Sequence, residues 1–269
     1  MDSIVSQHVV LNYERCVIKI VVIGGGGLTG KKLVARLHER GHEAVAASPS
    51  SGVNAVTGAG LADVLVDAEV VVDVTNSPSF EDAAVLEFFE KSSRNLLAAE
   101  ADAGVGHHVA VSIVGADRIP DSGYLRAKVA QEKLIQSAGI PYTILRATQF
   151  FEFIGTITAQ FPTDGQTVRA PSAFIQPILS DEVVDLLVDV TLGAPANGII
   201  DLAGPEQLRF DEIIREFLNA TQDKRQVVVD THARYFGAKL DDQSIVPRGN
   251  SHIGATHYKD WLTHSIVNT

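Results

Sequence analysis

Cysteine is nearly absent from this 269-residue chain, which contains only Cys16. A single thiol cannot close an internal disulfide and has no second thiol for a metal site, which predicts a reducing compartment. Basic residues are also scarce: 22 lysines and arginines stand against 33 aspartates and glutamates, and the net charge is −11. Such a charge excludes a general attraction to nucleic acid or to anionic lipid. The expected partner is therefore a small molecule.

Long hydrophobic runs are missing as well. Charge or glycine interrupts the apolar stretches before the roughly 18 residues that a membrane span needs, and no convincing signal peptide is present. The sequence lacks a Gly-x-Ser-x-Gly elbow and a Gly-x-x-x-x-Gly-Lys-Ser/Thr loop, which argues against a hydrolase nucleophile and a P-loop. We expect a soluble cytoplasmic protein, monomeric or homodimeric, that binds neither nucleic acid nor membrane.

What the sequence does contain is a regular alternation of strands and helices. Buried strands are predicted at 17–23, 43–47, 69–74, 108–113 and 142–146, with helices between them that include 61–65, 83–103 and 125–138. This order predicts an α/β fold with a Rossmann-type doubly wound parallel sheet. Beyond Phe150 the pattern loosens to a loop at 163–166, helices at 181–192 and 211–220, and a strand at 198–202. We predict an N-terminal extension (1–16), a Rossmann domain (17–150) and a smaller substrate-side portion packed on the same body (151–269).

A glycine loop follows the first strand. Four consecutive glycines, Gly24 to Gly27, are followed by Gly30, and the spacing reads as Gly25-x-Gly27-x-x-Gly30 or as Gly24-x-x-Gly27-x-x-Gly30. Between a strand and a helix, such a loop offers backbone N–H groups to a dinucleotide pyrophosphate. A tight turn without a ligand is the alternative. The predicted cofactor contacts are Gly24, Gly27, Leu28, Thr29 and Gly30.

The second strand ends without the carboxylate that usually binds the adenine ribose of NAD. The sequence there is Ser48-Pro49-Ser50-Ser51. Hydroxyls at this position, helped by Lys31 or Lys32, suit a 2′-phosphate, so the pattern favours NADP and leaves NAD possible. Alternatively, the serines only form a turn and the lysines are solvated.

Three residues suggest proton transfer. Ser112 is predicted near the carboxyl end of a strand, where ligands bind in open α/β sheets. Tyr124 and Lys128 follow, and their four-residue spacing places both on one helix face, where the ammonium would lower the pKa of the phenol and reach the nicotinamide ribose. We predict that Ser112 polarises a substrate carbonyl while Tyr124 transfers the proton. The alternative is a half-buried tyrosine beside a solvated lysine.

With these motifs in place, residues 17–150 resemble the short-chain dehydrogenase/reductase superfamily, and more closely its atypical, NmrA-like branch of NAD(P)-binding proteins. The similarity lies in the glycine loop and in segments 75–77, 112–115 and 139–146, although Gly26 and Ala147 replace a threonine and a proline that are frequent there. The resemblance implies further contacts. Cofactor contacts are Thr75, Asn76, Ala147 and Thr148, and substrate contacts are Gln149, Phe150, Phe151 and Phe153.

The leading functional prediction is an NADP-preferring oxidoreductase acting on a small carbonyl or quinone-like substrate. A non-catalytic redox sensor that binds the same cofactor is the first alternative, and a sugar-nucleotide epimerase is the second, ranked lower because the C-terminal portion looks short for a nucleotide sugar. No metal is predicted. His107 and His108 are adjacent in a strand, so they point to opposite faces and do not share an ion.

Overall fold

The computed structural model describes residues 17–267. The predicted N-terminal extension, with Cys16, lies outside the described residues. The strands are β1 (Lys19–Ile23), β2 (Glu43–Ala47), β3 (Val70–Asp73), β4 (His107–Ile113), β5 (Tyr142–Ala147), β6 (Thr167–Ala170), β7 (Phe174–Ile175), β8 (Gly198–Ala203), β9 (Leu208–Arg209), β10 (Gln226–Val229) and β11 (His252–Ile253). The helices are α1 (Leu28–Glu39), α2 (Leu61–Val64), α3 (Asp82–Ala103), α4 (Gly123–Ser137), α5 (Ile154–Ala159), α6 (Ser180–Leu192), α7 (Phe210–Ala220) and α8 (Tyr258–Val267).

A seven-stranded sheet forms the centre of the molecule, in the order β11-β8-β5-β4-β3-β1-β2. Every neighbouring pair in it is parallel. The chain starts at β1, steps outward to β2 and then crosses back to β3, which creates a crevice at the carboxyl ends of β1 and β3. The predicted Rossmann-type parallel sheet is therefore confirmed.

Helices cover both faces of this sheet, which explains why its strands are almost continuously apolar. Ile20 and Val22 face a layer that contains α1 and α6, whereas Val21 and Ile23 face the layer of α2 and α3. Alternate residues of one strand thus serve two cores. Within residues 17–267, no helix is long and apolar enough to cross a membrane.

The C-terminal portion has its own core and also extends the central sheet. Phe151, Phe210 and Tyr258 belong to this second apolar cluster, which the short pairs β6–β10 and β7–β9 border. Strands β8 and β11 return to the central sheet beside β5. The predicted boundary at residue 150 stays a prediction. Helices α6 and α7 and strand β8 match the expected elements within one residue, while α5, α8 and the short strands were not predicted.

Candidate functional site

The glycine loop packs so tightly that two of its positions admit no side chain. A Cβ on Gly30 would lie 2.4 Å from the carbonyl oxygen of Gly24, and one on Gly25 would lie 2.6 Å from the Cα of Ala46 in β2. Gly24 itself lies against the backbone of Val74, just past β3. The loop therefore occupies the crevice between β1 and β3, with its backbone exposed to that space.

Helix α1 begins directly after this loop with its N-terminal groups uncovered. Gly27 is the N-cap, and among the described residues no side chain caps the helix. The first turn, which starts with Leu28, Thr29 and Gly30, contains no acidic residue. Unpaired N–H groups and the positive end of the helix dipole together suit an anion. This arrangement fits the pyrophosphate of a dinucleotide.

Three serine hydroxyls lie beyond the end of β2, beside the glycine loop. Ser48 Oγ is 2.8 Å from Ser50 Oγ, and the Ser51 hydroxyl accepts a 3.0 Å hydrogen bond from the backbone N–H of Ser48. A Cβ on Gly26 would be 3.6 Å from Ser48 Oγ, so these hydroxyls border the loop. Their contact with the adenine ribose of a dinucleotide stays a prediction.

Of the two lysines expected to assist at this edge, Lys32 is held elsewhere. Its ammonium donates to Asp181 Oδ2 at 2.6 Å and to Ser180 Oγ at 2.8 Å, both at the start of α6. The expectation that Lys32 serves a 2′-phosphate beside the serines was therefore wrong. Lys31 is exposed, and its predicted role stays a prediction.

A buried carboxylate at the end of β3, Asp73, organises the next part of the site. Its Oδ1 accepts hydrogen bonds from the backbone N–H and the hydroxyl of Thr75, at 2.9 and 2.7 Å. Its Oδ2 accepts from Gln131 Nε2 at 2.9 Å. Asn76 follows and accepts a 3.2 Å hydrogen bond from the Tyr124 hydroxyl. Asp73 thus fixes the segment that carries Thr75 and Asn76.

The Lys128 ammonium is buried beneath the site. It donates to the carbonyl oxygen of Val111 at 2.9 Å and to Gln131 Oε1, and it lies 4.5 Å from the centre of the Phe89 ring. Burial lowers the pKa of Lys128 to about 8, while the nearby charge of Asp73 opposes this shift. Through Gln131, Lys128 and Asp73 form one hydrogen-bonded chain.

Tyr124 lies in the first turn of α4, near the N-cap Ser122, and its ring is enclosed by other rings. Phe80 and Phe236 each lie 5.2 Å from it, centre to centre. Burial raises the pKa of Tyr124 to about 12, and the hydrogen bond to Asn76 opposes the rise. The expected lowering of this pKa by Lys128 was therefore wrong, because the ammonium is directed towards Val111 and Gln131. The phenol is neutral at physiological pH.

Two buried hydroxyls at the carboxyl ends of neighbouring strands have no hydrogen-bond partner in the described part of the chain. Ser112, the residue before the last of β4, is 3% exposed, and Thr148 directly follows β5. Neither Ser112 Oγ nor Thr148 Oγ1 finds a hydrogen-bond partner among residues 17–267. Buried polar groups are usually satisfied, so unpaired ones at this edge suit a ligand or ordered water. Ala147, the last residue of β5, pairs with Ile113 of β4 and is buried.

The predicted substrate residues separate into different environments. Phe150 stacks on Phe153 with ring centres 5.5 Å apart, and Phe153 is 44% exposed. Gln149 is buried, and neither its Oε1 nor its Nε2 has a hydrogen-bond partner among residues 17–267. Phe151 instead packs in the C-terminal core, 5.2 Å from Tyr258 and 5.4 Å from Trp261. The expectation that Phe151 walls a substrate was wrong, because the turn at 151–153 directs it inward.

Sequence reasoning missed Asp73, Gln131 and Phe236. Asp73 left a signal, since it is a polar residue at the end of an otherwise apolar strand. Gln131 follows Lys128 by three residues and so shares its helix face. Phe236 left no signal in the sequence, because its contact with Tyr124 joins segments that are more than a hundred residues apart.

The adjacent histidines His107 and His108, which were not expected to share a metal ion, have separate partners. His107 contacts Thr143, and His108 contacts Glu100.

Comparison with known proteins agrees with this geometry. A family model described as NAD(P)H-binding matches residues 24–173, more than half of the chain. Among curated protein sequences, none matches.

Solved structures show the same fold. The NAD complex of WbmG from Bordetella bronchiseptica has a TM-score of 0.70 at 16% identity, covering 96% of this chain and 95% of that one. UDP-N-acetylglucosamine 4-epimerase from Bacillus cereus has a TM-score of 0.67 at 16% identity, covering 93% and 96%. The dTDP-4-dehydrorhamnose reductase from Yersinia enterocolitica has a TM-score of 0.68 at 13% identity, covering 93% of this chain and 99% of that one. The chain thus belongs to the NAD(P)H-binding family and shares its fold with these solved structures.

Proposed function

We propose that this protein reduces a small carbonyl or quinone-like compound at the expense of NADPH. The observation that carries the proposal is the Tyr124 hydroxyl, which is neutral and donates to Asn76, on a partly buried ring that contacts other aromatic rings. At the carboxyl end of β4, the Ser112 hydroxyl has no hydrogen-bond partner among residues 17–267. A neutral phenol is a proton donor, which is what carbonyl reduction requires.

When bound, a nicotinamide cofactor would supply the hydride that such a reduction requires. Ser112 donates a hydrogen bond to the carbonyl oxygen and stabilises the negative charge that develops there. Tyr124 gives its proton to that oxygen, which completes the alcohol, and solvent returns a proton to the phenolate. When the product is an aliphatic alcohol, which is a weaker acid than a phenol, this transfer is favourable even from a phenol whose pKa is raised to about 12. A quinone gives a phenolic product that is a stronger acid, so there Tyr124 stabilises the developing negative charge by donating a hydrogen bond and solvent supplies the final proton.

Residues that follow β1, β3 and β5 would hold the cofactor. The N–H groups of Leu28 and Thr29, in the first turn of α1, would bind the pyrophosphate, and Gly27 would let it approach the backbone, since the Gly27 N–H already donates to the carbonyl oxygen of Gly24. Thr75, Asn76 and Thr148 would hold the nicotinamide end. The preference for NADP over NAD rests on the serines: Ser48, Ser50 and Ser51 offer hydroxyls and present no carboxylate that would repel a 2′-phosphate. Lys31 is the basic residue available to assist.

The test is NADPH oxidation with a panel of aldehydes, ketones and quinones, comparing Tyr124→Phe with wild type. We expect kcat/KM to fall by about a hundredfold or more, the usual size of a general-acid contribution, while NADPH affinity stays the same. Tyr142→Phe is the matched control, since Tyr142 lies at the opposite, amino end of β5. Equal turnover by Tyr124→Phe and wild type would contradict the proposal. Tight binding without turnover of any compound would favour the redox-sensor alternative and its NmrA-like resemblance.

A sugar-nucleotide enzyme is a second candidate, favoured by the solved structures of that class. The UDP-N-acetylglucosamine 4-epimerase and the dTDP-4-dehydrorhamnose reductase align over 96% and 99% of their own chains, which speaks against the expectation that this C-terminal portion is too short. An epimerase keeps its cofactor through the cycle. Interconversion of UDP-glucose and UDP-galactose without net NADPH consumption would replace our proposal with this one.

A further inference from the structure

A tight turn in the C-terminal portion has a residue that its backbone does not favour. Tyr235 and Ala238 exchange both backbone hydrogen bonds, at 2.9 and 3.0 Å, and the two residues between them have positive φ angles, +46° at Phe236 and +82° at Gly237. This is the geometry of a type I′ turn, whose first central position prefers Asn, Asp or Gly. A phenylalanine there is uncommon, and such outliers often accompany function.

The ring of Phe236 lies against the candidate proton donor. It is 5.2 Å from Tyr124 and 5.4 Å from Phe80, which is itself 5.2 Å from Tyr124. The three rings therefore contact one another. Phe80 is 46% exposed and Phe236 is partly exposed, so the cluster presents an apolar surface beside the phenol.

The base of the turn is held firmly in place. Tyr235 is buried 5.8 Å from Phe210 in the C-terminal core, and Ala238 is buried beside it. Further along the same segment, Arg118 donates hydrogen bonds to the carbonyl oxygens of Ser244 and Val246, at 3.2 and 2.6 Å. Arg118 lies in a short helical turn, Ala116–Arg118, in the loop after β4. The segment that follows the Phe236 turn is therefore tied to the loop after the strand that carries Ser112.

We propose that Phe236, together with Phe80, forms an apolar wall that selects flat aromatic carbonyl compounds, such as quinones, for reduction at Tyr124. This inference rests on the proposed function and names its substrate class. Aromatic rings pair favourably with other rings in offset or edge-on contact.

The turn supplies a clean pair of variants. Phe236→Asn removes the ring but suits the type I′ backbone, so we expect its Tm to equal or exceed that of wild type. Phe236→Tyr keeps the ring and the strain. Phe80→Ala removes the other ring from a different, exposed position and keeps the test available if the turn variant is unstable. All three should bind NADP⁺ as wild type does.

The measurement is calorimetric binding of 1,4-naphthoquinone to the NADP⁺ complex, in which no hydride is available. We expect Phe236→Asn and Phe80→Ala to weaken binding by about tenfold, the range for losing one good apolar contact, and Phe236→Tyr to stay within about twofold of wild type. Equal affinity in Phe236→Asn and wild type would overturn the wall, as would the absence of naphthoquinone binding to wild type. Binding that depends on Phe236, without NADPH oxidation by any carbonyl, would instead overturn the proposed function and leave the wall standing.

Discussion

The two ends of the candidate site are built in different ways. At the nucleotide end, one continuous segment, residues 24–30, supplies loop and helix start, and its shape depends on backbone atoms that approach too closely for side chains. At the proton-transfer end, Asp73, the α4 residues Tyr124 and Lys128, and Phe236 come from three separate segments, which hydrogen bonds and ring contacts join. The first end is specified locally by glycine, whereas the second is specified by tertiary structure.

The largest expected effect comes from adding one methyl group at the nucleotide end, which tests whether close backbone contacts define the loop. Gly30→Ala places a Cβ 2.4 Å from the Gly24 carbonyl oxygen, so the loop must move. Overpacking against backbone costs about 3 kcal/mol, and we expect NADPH affinity measured by calorimetry to fall by about a hundredfold. Gly26→Ala is the control, because among the described residues its Cβ would contact the side chain of Ser48, at 3.6 and 3.8 Å, and no backbone atom within 4 Å, so its affinity should stay within about threefold of wild type. Similar affinities in both variants would show that the loop is not defined by steric contact.

A smaller effect is expected from Asp73→Asn at the proton-transfer end. An amide cannot accept hydrogen bonds from Thr75 and from Gln131 at once, because one of its two positions is a donor. We expect a loss of about 2 kcal/mol in the free energy of unfolding, measured by urea denaturation, since a buried donor is left unpaired. Asp63→Asn, on the exposed side of α2, should change it by less than about 0.5 kcal/mol. Equal stabilities would mean that this network does not hold the end of β3.

The smallest effect concerns the charge of Lys128. Burial holds its pKa at about 8, so the ammonium is present at pH 7 and is lost as the pH rises through 8. If the Lys128 ammonium contacts the nicotinamide ribose, as its sequence position predicts, NADPH binds more tightly below about pH 8 than above it. We expect a decline of about threefold between about pH 7 and about pH 9.5, the size of one modest charged contact. Lys128→Met should show weaker binding with a flat profile, and parallel profiles in both proteins would exclude the contact.

The central sheet was predictable because its strands are buried on both faces and end at turn residues. Strand β2 was predicted at its observed bounds, and α3 began only one residue early. The short strands were not predictable. His252 and Ile253 pair with Leu202 and Ala203, but two residues carry no periodicity, and the pairing is decided by the packing of residues fifty positions apart.

The candidate site followed the same division. The contacts at the glycine loop could be predicted because a loop between strand and helix has few conformations. Side-chain directions could not. Phe150, Phe151 and Phe153 are close in sequence, yet a three-residue helical turn directs only Phe151 into the core. The Lys128 ammonium pairs with Gln131 and not with the phenol of Tyr124. This depends on how deeply each side chain on that helix face is buried, which residue spacing alone does not give.

The tight fit between Gly25 and β2 also determines where cofactor preference is open to evolution. Any side chain at position 25 would collide with the backbone of Ala46, so that position is closed to substitution. Ser48, Ser50 and Ser51 lie only a few residues further along, and their hydroxyls bond mainly to one another and to their own backbone. A mutant library restricted to these serines would explore discrimination between the two dinucleotides while the pyrophosphate cradle stays intact. The residues expected to set the choice between NADP and NAD are thus separate from those expected to hold the pyrophosphate.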